Sequence, residues 1–151
     1  MSSHLKHEHI TGSVLTHWSD QFPLSVTTIY PGTKIDTTNL DEWLDLRIDM
    51  WSQRPQRSTA KQVLDVKVTL EAFVKQGLDK SRIQELADAT RSTISQQTVP
   101  IRDYETSGTP VTGYVSFFES ETRDLSRNDT NTLRNSMQHL RITCPGIAQQ
   151  I

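Results

Sequence analysis

Two stretches of strict alternation constrain this chain more than anything else in it. From Glu42 to Trp51, the residues Leu44, Leu46, Ile48 and Met50 fall on one side. Trp43, Asp45, Arg47, Asp49 and Trp51 fall on the other. From Val63 to Lys75, Leu64, Val66, Val68, Leu70, Ala72 and Val74 alternate with Asp65, Lys67, Thr69, Glu71 and Lys75. A period of two sends successive side chains to opposite faces of a pleated strand, so each run is a strand with one apolar and one charged face. The intervening residues 52–62 suit a hairpin with a long tip. An antiparallel pair is therefore expected, with Asp45, Arg47 and Asp49 near Asp65 and Lys67 across the strands. The sequence leaves the register open.

The apolar face of such a ribbon needs a cover, and the remaining patterns supply one. Residues 11–22 place Val14, Leu15 and Trp18 on one helical face, and Pro23 ends that helix. Residues 24–30 are β-branched and aromatic and predict a strand that stops at Pro31-Gly32, with a polar loop to about Asn39. Gly77 ends the second long strand. Over 79–96 the period changes to that of a helix, with Ile83, Leu86, Ala87, Thr90 and Ile94 on one stripe. Asp79 or Ser81 is its expected cap, and Ser81 with Gln84 fits a capping box. Val99-Pro100-Ile101 opens an extended segment, Ser107 to Pro110 is a turn, and Val111 to Phe118 reads as a strand. Residues 119–132 look like a polar loop, and a last strand runs from about Leu133 to Thr143 until Pro145-Gly146 stops it. The order predicts an α+β fold, an antiparallel or mixed β-sheet with two helices packed on one face. The other face is either wet or meets another subunit.

Composition narrows the class. At 151 residues, 34% hydrophobic and 23% charged, the chain is long enough for one core and lies outside the disordered range. We expect a flexible N-terminal arm over residues 1–10, loose or partly helical, and a single α+β domain over 11–151. A net charge of −2 argues against a free nucleic-acid-binding domain, which normally carries a basic excess. The single cysteine, Cys144, rules out an intramolecular disulfide and suits a reducing compartment. No apolar run approaches the ~20 residues that cross a bilayer, and the polar first ten residues lack the pattern of a secretory signal. Synthesis and use in the cytoplasm are therefore expected, without a membrane partner.

The search for chemistry yields little. His4, His7 and His9, with Glu8 among them, lie in the arm. Imidazole is a common metal ligand, but this spacing matches no metal-site pattern, and a polar arm is the reading taken. Cys144 reads as a buried thiol, and no arrangement activates a Cys144–His139 pair. There is no G-x-S-x-G elbow and no glycine-rich phosphate loop. Asp45 and Asp49 share a strand face and are the candidates for a general acid–base pair, although Arg47 between them makes a solvated ion-paired face the simpler account. Arg54, Arg57 and Lys61 form a basic hairpin tip suited to phosphates or an acidic partner. Trp43 and Trp51 sit on the polar side of their strand, where large aromatics need a helix, a loop or a partner to cover them. No catalytic, cofactor-binding or metal-binding set is assigned.

The order of these elements resembles the tail terminator family of long-tailed bacteriophages, the lambda-like ring-forming tail-completion proteins. The resemblance covers residues 12–145. It rests on an N-terminal helix before a short strand, then the tryptophan-centred strand Asp41-Glu42-Trp43-Leu44-Asp45-Leu46. The second long strand from Val63 to Val74 follows, then a helix with Leu86-Ala87-Asp88, and a closing β segment at Met137-Gln138-His139-Leu140-Arg141-Ile142. It implies a non-enzymatic virion protein, assembled in the host cytoplasm, that forms a homo-oligomeric ring, by family a hexamer. Such a ring, at the tail end or in the neck, caps the tail tube and joins it to the head–neck connector proteins, with viral DNA passing through its lumen. Closing a ring requires heterologous contacts. The interface candidates are Trp43, Trp51, Arg54, Arg57 and Lys61. Two alternatives stand beside this expectation: a small enzyme using carboxylates on the charged sheet face, and a DNA-contacting module working through the basic tip.

Overall fold

A computed structural model describes residues 5–51, 62–75, 81–126 and 137–151. In chain order the elements are α1 (His7–Gln21), β1 (Thr28–Ile29), β2 (Glu42–Trp51), β3 (Val63–Lys75), α2 (Ser81–Ile94), β4 (Thr98–Arg102), β5 (Val111–Phe117), β6 (Glu121–Asp124) and β7 (Met137–Gln150). The strands form one seven-stranded sheet in the order β1-β2-β3-β7-β5-β4, with β6 also paired to β7. All pairs are antiparallel except β1 with β2, so the sheet is mixed, and the fold is α+β as expected.

The hairpin forms with Glu42 opposite Val74 and Trp51 opposite Asp65. β7 then lies along the whole of β3, from Val63 opposite Gln149 to Lys75 opposite Met137. The apolar sides of these three strands carry Leu44, Leu46, Val66, Val68, Leu70, Leu140, Ile142 and Cys144, all buried. Both helices cover that side. α2 presents Ile83, Leu86, Ala87, Thr90 and Ile94, the stripe read from its period, and α1 presents Ile10, Val14 and Trp18. The buried hydroxyls of Thr90 and Thr93 donate to the Leu86 and Ala89 carbonyls one turn back, so neither enters the core unpaired. His17 Nε2 meets the Thr93 carbonyl at 2.8 Å and ties the two helices together.

Four expectations are corrected. The strand over 24–30 shrinks to Thr28–Ile29, because β1 meets β2 only near Leu44 and the Pro31-Gly32 turn then carries the chain away. Gly32 at φ 80° and the Thr33 N–H to Tyr30 carbonyl bond identify that turn as type II. Part of the loop over 119–132 is a strand: β6 pairs Glu121–Asp124 with β7. Its side chains are all exposed, and charged exposed edges are how sheets block further pairing, so its composition imitates a loop. The last strand does not stop at Pro145-Gly146 but runs to Gln150. The Pro145 carbonyl accepts the Phe118 N–H, so the proline nitrogen faces the same side, where β6 has ended and β5 begins, and no bond to β3 is lost. Gly146 allows β5 to approach, since a Cβ there would lie 2.8 Å from Phe117 Cδ1. Finally, the arm expected over 1–10 joins the fold from residue 5. α1 begins at His7, and Leu5, His9 and Ile10 are buried. Residues 1–4 lie outside the described residues, as does Asp79, an expected cap of α2.

Candidate functional site

The side of the sheet opposite the helices is the region most worth reading for function. Alternation places Trp43, Asp45, Arg47, Asp49 and Trp51 of β2 there. Register adds Asp65, Lys67, Thr69, Glu71 and Phe73 of β3, and His139 and Arg141 of β7. Two zones differ in kind.

At one end, three rings from three neighbouring strands stack in sequence. Trp43 lies on Phe73 with centroids 5.1 Å apart, and Phe73 lies on His139 at 4.3 Å, both nearly parallel. The Lys75 ammonium sits 5.9 Å over the Trp43 ring and donates to the carbonyls of Thr37 and Thr38, strapping the polar loop across the strand end. Trp43 is thereby 7% exposed, so this candidate is covered from within the chain by a neighbouring strand and a lysine, not by a helix.

Beside the stack, Glu71 gathers the charges. Its Oε1 accepts from Arg141 Nε at 3.0 Å and Nη2 at 2.9 Å, and lies 3.1 Å from His139 Nε2. Its Oε2 accepts from Arg47 Nη2 at 3.2 Å. Burial pushes the Glu71 carboxyl up, but the hydrogen bonds and charge of Arg141, with Arg47 and His139, outweigh it and hold the pKa below its usual value. Asp45, directly opposite Glu71, is raised, first by burial; Arg47 pulls it down and Glu71 pushes it up. Asp49 faces Lys67. Asp45 and Asp49 stand four residues apart on one strand, about 13 Å at ~3.3 Å per residue, with Arg47 between them.

The far end of the same face is apolar and open. Trp51 is 41% exposed, Val63 38% and Tyr114 45%. Register places Trp51 diagonal to Val63, whose strand neighbour Asp65 it pairs, and sets Tyr114 two strands beyond Val63, across the exposed Gln149. Trp51 is thus the one described interface candidate that lies open. Val63 and Tyr114 were not gathered with it from the sequence, because only β-pairing brings residues 51, 63 and 114 together. Arg54, Arg57 and Lys61 lie outside the described residues.

The other sequence candidates separate. Cys144 points into the core and His139 to the opposite face, so they form no pair. The thiol lies 3.2 Å from the Phe118 carbonyl and burial pushes its pKa up to about 11. His9, expected in a loose arm, is 3% exposed, and neither ring nitrogen has a hydrogen-bond partner. Leaving a buried polar group unmatched costs about 1–3 kcal/mol. Its ring faces a turn between β4 and β5, where Asp103 and Glu105 sit. Two grooves border α1. One of about 170 Å³ is lined by His17, Asp20, Arg102 and Tyr104 among others, and one of about 300 Å³ by Leu15, Asp20 and Tyr30 among others. Small-molecule sites run from ~300 Å³ upward, so neither is spacious. Among the described residues no helix is long and apolar enough to cross a membrane. Comparison with known proteins returns no matching family model and no matching curated protein.

Proposed function

We propose that this chain is a structural ring subunit of a phage tail or neck, a tail terminator in type, which works by assembling with copies of itself. On this reading it performs no turnover. The ring caps the tail tube, offers its other side to the head–neck connector proteins, and lets DNA pass through its lumen within the virion.

The observation that carries the reading is the exposure of Trp51, Val63 and Tyr114, on three strands at one end of a sheet face that neither helix covers. Exposed aromatics clustered on a rigid support are what protein interfaces use, and a sheet holds them at little entropic cost. Mixed charges beside these residues suit a partner with the same composition, a second copy. The order of elements adds the resemblance to the ring-forming family.

The test is the solution mass of the purified protein by light scattering from micromolar to millimolar concentration, with electron microscopy for rings. A ring-sized oligomer that Trp51→Ala with Tyr114→Ser disperses is expected. A protein that remains monomeric throughout, alone and when mixed with tail tubes, would set the proposal aside.

A further inference from the structure

The geometry points to a binding site for a divalent transition-metal ion, of the zinc class, formed by His9 with the carboxylates of Glu8, Asp103 and Glu105. Its ligands come from the first turn of α1 and from a turn almost one hundred residues later in the chain.

His9 carries the case. A buried imidazole normally gives its N–H to an acceptor and its lone pair to a donor. Here the ring is buried and both nitrogens lack a hydrogen-bond partner. Either tautomer therefore leaves a lone pair without an occupant. Nε2 is aimed at carboxylates: Asp103 Oδ1 is 3.5 Å away and Glu105 Oε1 3.9 Å. Ligand atoms of Glu8, His9 and Glu105 all lie within 4.8 Å of one another. Around a tetrahedral ion bonded at ~2.0–2.1 Å, neighbouring ligands stand about 3.3 Å apart. Asp103 is close to that spacing already. Glu8 and Glu105 are exposed and can close the remainder by rotamer changes.

Charge agrees with a divalent ion. Three carboxylates stand against one ammonium, Lys6, which binds Glu105 Oε2 at 2.6 Å and leaves Oε1 facing the histidine. Arg102, next to Asp103, reaches away to the Thr109 carbonyl. The sum over Glu8, Asp103, Glu105 and Lys6 is −2. A buried nitrogen donor with carboxylates selects zinc, cobalt, nickel or copper over the oxygen-seeking magnesium and calcium.

The two halves are also held in place without the ion. Ser13 Oγ accepts the Arg102 N–H at 2.9 Å. Tyr104 packs on Gly12, where a Cβ would lie 3.3 Å from its ring. Asp103 is fixed within its turn: Oδ1 accepts the Glu105 N–H, Oδ2 accepts the Thr106 hydroxyl, and its own N–H donates to the Pro110 carbonyl. An ion here would fasten the start of α1 to the β4–β5 turn.

The experiment uses the full chain, stripped with a chelator and titrated with zinc against a chromophoric zinc indicator, then with cobalt to read its visible absorption. The expected result is a single equivalent bound, with a tetrahedral cobalt spectrum and a raised thermal midpoint. Glu105→Gln and His9→Ala should each weaken binding at least about tenfold. Glu105 is exposed, so its variant keeps the test alive should His9→Ala fail to fold. The double variant His4→Ala, His7→Ala controls for the other imidazoles near the N-terminus and should bind as wild type. Binding lost only in that double variant, or no binding in competition with the indicator, overturns the site.

Discussion

The two faces of this sheet are built from the same strands and hold by different forces. On the covered face, Leu46, Val68, Leu70 and Ile142 meet the helices through apolar contacts that have no preferred direction. On the open face, the next residue along each strand enters a directional arrangement: rings stacked nearly parallel across three strands, and one carboxylate answered by two guanidinium groups. The covered face pulls the chain together. The open face fixes where side chains stand relative to one another, which is what a recognition surface requires. A shift of one residue in register would exchange these roles, and the apolar face specifies register strongly enough to prevent it.

Substitutions can break that comparison. The largest effect is expected on the covered face. Leu70→Ala, at a fully buried position of the core, should lose about 3–5 kcal/mol in denaturant unfolding with an unchanged slope. A loss under about 1 kcal/mol would mean this face is not the core.

Glu71→Gln comes next, at about 2 kcal/mol near neutral pH, because it leaves Arg141 and Arg47 without their anion although both can turn into water. The same residue makes a pH prediction. The Glu71 pKa is lowered in the folded state from an ordinary value of 4.5, so its contribution is present above pH 4.5 and fades as pH falls through the lower folded value. Wild type should therefore lose stability over that acid range, and Glu71→Gln should lose less of it. Parallel acid limbs for the two proteins would show that the network holds geometry without stabilising the fold.

The smallest effect on stability belongs to the exposed apolar residues at the far end of the open face. Trp51→Ala should change monomer unfolding by about 1 kcal/mol, less than either change above, because the side chain is 41% exposed. Its effect should appear instead in the concentration dependence of the light-scattering mass. A large stability loss at Trp51 would place it in the core and erase the distinction between the faces.

Much of the covered face was legible. The alternation of β2 and β3 and the stripe of α2 depend on local periodicity, which sequence records directly. The open face was legible only in part. Glu71 was readable as outward-facing, but its partners Arg141 and His139 lie on β7, and their meeting required a register that local pattern does not carry. β7 itself was read too short, because proline and glycine normally end strands and the side on which Pro145 lacks a donor is a tertiary fact. The reverse holds for β6, whose charge conceals an edge strand.

The sequence by itself determined the sheet-forming hairpin, the class of fold, the helix that covers it, and the absence of a disulfide within these 151 residues, since these follow from spacing and residue type along the chain. Tertiary structure alone decided which charges share Glu71, that Trp43 is covered while Trp51 lies open, and that His9 looks into carboxylates from a distant turn. The physical reason is range. Periodicity acts over a few residues, whereas each of these arrangements depends on strand pairing and packing between segments tens of residues apart.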